Sequence, residues 1–130
     1  MATQGSFDWQ GRLASDGEVV FGGRLSGRLI VTRDGVRRGS AATIAFDRFV
    51  AVGTSRQRLT IFYAPLPGER MNPFERRSGQ KRLLIVLSRW GSVRADDLAV
   101  WLLKLKGGPM AEIDTKLGGA GVARVHRIRE

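Results

Sequence analysis

The sequence predicts a mainly β domain, α+β by count. A small bent sheet or partly open β-barrel is closed by one C-terminal amphipathic helix at about residues 94–106. Three observations carry this reading. Five or six short β-branched and apolar runs succeed one another between positions 18 and 88, separated by glycine, proline and aspartate turn signals. One strongly periodic helical segment follows them. With 130 residues, 42% hydrophobic and 26% charged, the chain can bury one core and is too short for two.

Residues 18–21 (EVVF) open the series and stop at Gly22-Gly23. Residues 25–32 (LSGRLIVT) form the next run, Asp34-Gly35 is a two-residue hairpin signal, and 36–38 begin the returning strand. In 43–52 (TIAFDRFVAV), Ile44 and Phe46 point one way and Ala45 and Asp47 the other. The pattern shifts at Asp47-Arg48, so that Phe49 continues the apolar set, and a bulge or bend accounts for this. Phe46, Phe49 and Val50 also fit helical spacing, but the β-branched content favours a strand.

Residues 58–64 (RLTIFYA) alternate clearly, with Leu59, Ile61 and Tyr63 on one face and Arg58, Thr60 and Phe62 on the other. Residues 81–88 (KRLLIVLS) are apolar on both faces and are expected to be the most buried strand. The intervening 65–80 (PLPGERMNPFERRSGQ) holds three of the four prolines and reads as a long loop of the kind that carries function.

In the helix, Leu98, Trp101, Leu102 and Leu105 recur at i, i+3, i+4 and i+7. Asp96 and Asp97 complement its N-terminal dipole, Lys104 and Lys106 its C-terminal one, and Gly107-Gly108-Pro109 ends it. The domain therefore spans 1–109. Residues 110–130, interrupted by Gly118-Gly119 and Gly121 and closing on RVHRIR, read as a flexible basic tail, with a short strand or helix as alternatives.

The segments GRLIVTRDGV (27–36), TIAFDRFVAV (43–52), RLTIFYA (58–64), RLLIVLS (82–88) and DDLAVWLLKL (96–105), with Trp101 inside the helix, resemble bacterial pleckstrin-homology (PH)-like domains over about residues 18–107. The resemblance implies a barrel whose open corner is plugged by the helix, and a binding rather than catalytic role. Lipid-binding members carry a basic K-x-n-[KR]-x-R arrangement in the first hairpin loop. Here Arg33, Arg37 and Arg38 around Asp34-Gly35 are shorter and lack lysine, so phosphoinositide specificity does not follow. An OB-like barrel is the competing fold, but its helix usually falls between strands three and four.

Several chemistries find no support. With no cysteine there are no disulfides, thiolate nucleophiles or Cys-ligated metals. The N-terminus has no basic region followed by an apolar stretch, and no apolar run approaches the roughly 20 residues of a membrane span, so a cytoplasmic protein is expected. The one histidine, His126, falls in the expected tail, away from any triad or second metal-binding histidine. Asp96-Asp97 are explained as N-terminal charge complements, and Gly22-Gly23 with Gly27 as turn glycines, because no GK[ST] follows. No catalytic residue, metal or cofactor is assigned.

What remains is charge. The net charge is +10, with a pI near 11.5, from 18 arginines and 4 lysines against 12 acidic residues. Such a field attracts polyanions, and arginine suits bidentate contacts, although GC-rich coding explains an arginine excess equally well. Two clusters are candidates for an anionic surface. The first is Arg33, Arg37 and Arg38, extended by Arg28 and by Arg56 and Arg58. The second is Phe74, Arg76 and Arg77 of the long loop with Arg89 and Trp90, where aromatics beside arginines suit stacking on bases or insertion at a lipid interface. The expected function is a non-enzymatic PH-like adaptor on an anionic membrane, peripheral to its inner face, or on an acidic protein. A nucleic-acid-binding basic barrel, or assembly with a second copy through an edge strand such as 18–21, are the alternatives.

Overall fold

Alternation of buried and open side chains sets most of this chain into strands. In the computed structural model, which describes residues 6–22, 27–118 and 123–129, these strands form two antiparallel sheets accompanied by three α-helices. The first sheet is a meander of β1 (Glu18–Phe21), β2 (Leu29–Thr32), β3 (Gly35–Arg38) and β4 (Ile44–Ala45), burying Val19, Phe21, Leu29, Val31, Val36 and Ile44. The second contains β5 (Phe49–Ser55), β6 (Arg58–Tyr63), β7 (Lys81–Val86), β8 (Ile113–Leu117) and β9 (Arg124–Ile128), in the order β7-β6-β5-β9-β8. Among the described residues the sheets do not close into a barrel, which corrects that expectation: neither sheet's outermost strand pairs there with the other sheet. Arg38 instead reaches from β3 to donate to the Leu84 carbonyl of β7 at 3.1 Å.

The segment 43–52 is not one strand. A 3₁₀ turn at Phe46–Arg48 carries the chain from the first sheet to the second, and Phe46 and Phe49 are both buried with their rings 5.4 Å apart. The shift in apolar pattern marks this transfer, and the register irregularity lies just beyond it, between Phe49 and Ala51. The first hairpin turn falls on Arg33-Asp34, one residue earlier than expected, because Val31 pairs with Val36 and Gly35 already belongs to β3. There a side chain has no room: a Cβ at Gly35 would sit 2.0 Å from the Ile44 carbonyl oxygen. The expected start of the preceding run, at Leu25, lies outside the described residues.

β6 buries Leu59, Ile61 and Tyr63 as its alternation requires. β7 corrects the reading of the most buried strand. It is outermost in its sheet and buries one face only, so Leu83 and Ile85 meet the core while Leu84 and Val86, on the opposite face, stay open at 43% and 37%. The proline-rich loop contains a short helix, α2 (Pro73–Ser78). Asn72 accepts from the Glu75 N–H while Glu75 accepts from the Asn72 N–H, and Gly79 ends it in the left-handed conformation.

The main helix, α3 (Ala95–Gly107), lies where it was expected. It is enclosed on more sides than one stripe implies, with Ala95, Leu98, Ala99, Trp101, Leu102 and Leu103 all buried. A helix not read from the sequence, α1 (Ser6–Asp16), brings Trp9 and Leu13 into the core. Trp9 packs edge-on against Phe21 at 5.2 Å and against Trp101 at 5.4 Å, and the Trp101 indole N–H donates to Gln10 Oε1 at 3.1 Å. The residues expected to form a flexible tail instead pair as β8 and β9, and β9 adds to β5 through Val52↔His126, Gly53↔Val125 and Thr54↔Arg124. The physical reason is the exposed flank of α3, which this hairpin covers with Ile113 and Ile128. No helix among the described residues is long and apolar enough to cross a membrane.

Replacing Trp101 by alanine removes one corner of the three-ring cluster and its indole hydrogen bond. The expected loss is about 3–5 kcal/mol of unfolding free energy, read from urea denaturation. A loss below about 1 kcal/mol would show that α1 does not depend on this contact.

Candidate functional site

The hairpin joining β5 to β6 turns on two residues, Arg56 and Gln57. Arg56 has φ +57, the one positive φ on a non-glycine among the described residues, a conformation that costs an ordinary side chain about 1–2 kcal/mol. Gln57 ties this turn to the chain after β7. Its Nε2 donates to the carbonyls of Ser88 at 3.0 Å and Val93 at 2.7 Å, its Oε1 accepts from the Ala95 N–H at 3.2 Å, and its own carbonyl accepts from Leu87 N–H at 2.7 Å. Arg94 at the α3 N-cap makes no side-chain cap, so Gln57 supplies that acceptor from another element.

Two clefts flank the turn. One, of about 380 Å³, is lined by Thr54, Arg56, Gln57, Arg94, Asp96 and Arg124. The other, of about 440 Å³, is lined by Arg56, Arg58, Val86 and Arg89 among others. Among the described residues, the side chains of Arg56, Arg58, Arg89 and Arg94 have no hydrogen-bond or ion-pair partner. Next to Arg89, in the turn that Gln57 holds, Trp90 is 92% exposed. Four uncompensated guanidinium groups and an open indole thus share one end of the molecule. Arg124, by contrast, is held by Asp96 at 3.2 Å.

Behind the first cleft lies a buried polar cluster. His126 is 2% exposed, so its placement in a free tail is corrected by the pairing of β9 with β5. Its Nε2 lies 3.0 Å from Thr54 Oγ1 and 3.3 Å from Asp96 Oδ1, and its Nδ1 lies 2.8 Å from Thr115 Oγ1. Thr54 in turn donates to Asp96 Oδ1 at 2.5 Å. A neutral ring with its proton on Nε2 satisfies every contact, with Thr115 donating to Nδ1. Both ring nitrogens are thus occupied, Nε2 by Thr54 and Asp96 and Nδ1 by Thr115, in a closed polar cluster whose imidazole is 2% exposed. Among the described residues no three His, Asp or Glu side chains come together as a metal site would need.

The sequence-derived candidates separate into distinct environments. Arg33 donates to the Ala14 carbonyl at 2.7 Å near the end of α1, Arg37 to Gly39 at 3.0 Å with Glu18 at 3.7 Å, and Arg38 to Leu84. Arg28 is exposed at the start of β2. Arg38 lines a separate cleft of about 350 Å³ with Arg48, Tyr63, Glu69 and Lys81. Only Arg56 and Arg58 of that first cluster join the turn. The second cluster divides as well: Phe74, 75% exposed, lies on α2 with Arg76 and Arg77, whereas Arg89 shares a cleft with Arg56 and Arg58, and Trp90 follows it in the chain. Sequence reasoning missed Arg94, Arg124 and Gln57. Arg94 carries a local signal, as it directly precedes the Asp-bearing first helical turn, while Arg124 and Gln57 act through contacts remote in sequence.

Comparison with known proteins adds no relative: no family model, curated protein or solved structure matches this chain.

Burial holds the His126 pKa below its ordinary 6.5, against the opposing pull of Asp96 and with smaller help from Arg124. A depressed folded-state pKa means that the unfolded chain takes up the proton first as pH falls. Stability is therefore expected to be level above about pH 6.5 and to decline below it until the folded-state value is passed. Urea midpoints collected between about pH 5 and pH 8 read this slope, and His126→Gln should flatten it. Equal slopes in the two proteins would assign the titration to other groups.

Proposed function

We propose that this chain is a non-enzymatic PH-like binding domain that docks peripherally on an anionic membrane surface through the Arg56-Gln57 turn and Trp90. The observation that carries the reading is the meeting of four partnerless arginines with an almost fully exposed tryptophan. Tryptophan favours the headgroup level of a bilayer, where its ring is half sheltered and its N–H stays wet. Each arginine near an anionic leaflet contributes about 1 kcal/mol, so four give reversible attachment on the order of a thousandfold over neutral lipid. Val86, open beside Arg58 and Arg89, adds a small apolar rim. The order of a four-strand meander, a three-strand meander and then an enclosed helix supports the PH-like reading, and the C-terminal hairpin is an addition to it.

The strained backbone supplies a test that separates binding from folding. Arg56→Gly relieves the positive φ, so stability is expected to hold or rise by up to about 1 kcal/mol while affinity for anionic vesicles falls about fivefold. Trp90→Ala is expected to weaken binding without altering the urea midpoint. The measurement is co-sedimentation with phosphatidylcholine vesicles, with and without phosphatidylserine, across a salt series. Equal partition into both vesicle types would overturn the proposal. Steeply salt-dependent retention on single-stranded DNA or RNA, with no vesicle binding, would instead make this end a nucleic-acid surface on which Trp90 stacks.

A further inference from the structure

β8 is the outermost strand on one side of the five-stranded sheet. Its hydrogen bonds to β9 run through alternate residues. Arg129 N–H donates to Glu112 at one end and Gly118 N–H to Ala123 at the other, so Asp114 and Lys116 turn their main-chain groups toward β9. Ile113, Thr115 and Leu117 therefore turn theirs toward the open edge, and among the described residues nothing occupies them. Natural sheet edges are commonly blunted by proline, a bulge, a covering segment or charged side chains, lysine above all; the one lysine of β8, Lys116, is drawn to Asp114 of its own strand at 3.4 Å. β7 has one such cover, since Arg38 holds the Leu84 carbonyl, whereas β8 has no proline and keeps continuous register with β9.

The five residues of this edge read Ile-Asp-Thr-Lys-Leu, and they are complementary to themselves. Rotated about a two-fold axis through Thr115, Ile113 meets Leu117 of a second copy, Asp114 meets Lys116, and Thr115 meets Thr115. Each pair is favourable across an antiparallel ladder: apolar with apolar, acid with base, threonine with threonine. The main-chain pattern agrees with the side chains. The outward-facing residues 113, 115 and 117 fall at the hydrogen-bonded pairs, giving about six new N–H···O bonds. Asp114 and Lys116 fall at the closer, non-bonded pairs, where opposite charges gain most. Within one chain these two groups already lie 3.4 Å apart on one face, and Leu117 stands 75% exposed.

We propose that β8 is a homodimerisation edge, pairing antiparallel with β8 of a second copy in the register centred on Thr115, to give one continuous ten-stranded sheet. The inference is independent of the membrane reading, because none of its residues belongs to the arginine-lined end. An edge of five residues a side falls at the small end of specific interfaces, so the dimer is expected to form and dissociate with concentration.

Sedimentation velocity of the full chain from about 1 to about 500 µM reads the equilibrium. The wild type is expected to pass from monomer to dimer over that range. Asp114→Lys places lysine opposite lysine at both crossings, and Lys116→Asp places aspartate opposite aspartate, so each variant alone is expected to remain monomeric. Mixed together, the two are expected to associate, because every crossing then joins opposite charges, and the double exchange in one chain should restore the homodimer. Circular dichroism and urea midpoints check that each variant keeps its fold. A wild type that stays monomeric throughout overturns the proposal. So does a dimer indifferent to both single changes, or two monomeric variants that fail to associate when mixed.

Discussion

Enclosure of α3 is the constraint on which the rest of the structure depends. Its buried residues Ala95, Leu98, Ala99, Trp101, Leu102 and Leu103 spread over more than half of the helix circumference, at 3.6 residues per turn. A single sheet covers about one stripe of a helix, so the remaining apolar surface has to be met by other elements. β5 and β6 take one side, α1 closes over Trp101 with Trp9, and the β8–β9 hairpin takes the flank beside Leu105 with Ile113 and Ile128. The two terminal elements are thus consequences of the helix composition. A cap with one apolar face would need neither.

The same enclosure fixes the arginine-lined end. Burial of Leu98 and Ala99 against the second sheet brings the first turn of α3 beside the β5–β6 hairpin, where its N–H groups need acceptors. Gln57 answers that need for Ala95 and at the same time holds the carbonyls of Ser88 and Val93. One neutral side chain therefore locks turn, loop and helix together, leaving the neighbouring arginines with no structural duty. Asp96, in the same first turn, is drawn inward by Thr54 and His126 and outward by Arg124.

How much of this was legible in the sequence follows from where each signal resides. β6 could be read because its two faces meet different media, and α3 because its period and end charges are local. β7 misled, since Leu84 and Val86 resemble interior residues and composition does not say which strand lies outermost. The asparagine, proline and glutamate that start α2 were a readable capping signal, masked by the prolines around them. α1 is short of apolar residues, and β9 is specified by β5 some seventy positions earlier, so neither announces itself locally. The site was half visible for the same reason. Arg56, Arg58, Arg89 and Trp90 stand out as residue types, but their convergence rests on Gln57, whose role is entirely tertiary.

The arginine excess resolves into two populations once partners are assigned. Arg33, Arg37, Arg38 and Arg48 each donate to a main-chain carbonyl, those of Ala14, Gly39, Leu84 and Ala64, and Arg82 lies over the Phe62 ring. A planar five-donor head on a long stem is well suited to satisfying carbonyls where elements end, so these arginines are accounted for by the fold. Five further arginines without a side-chain partner among the described residues, Arg28, Arg70, Arg76, Arg77 and Arg127, lie elsewhere on the surface, as coding bias alone would leave them. Arg56, Arg58, Arg89 and Arg94 instead crowd a single turn, where mutual repulsion and the positive φ of Arg56 both work against folding. On the proposed reading an anionic surface outside the chain compensates that local cost, and planar guanidinium heads suit such a partner.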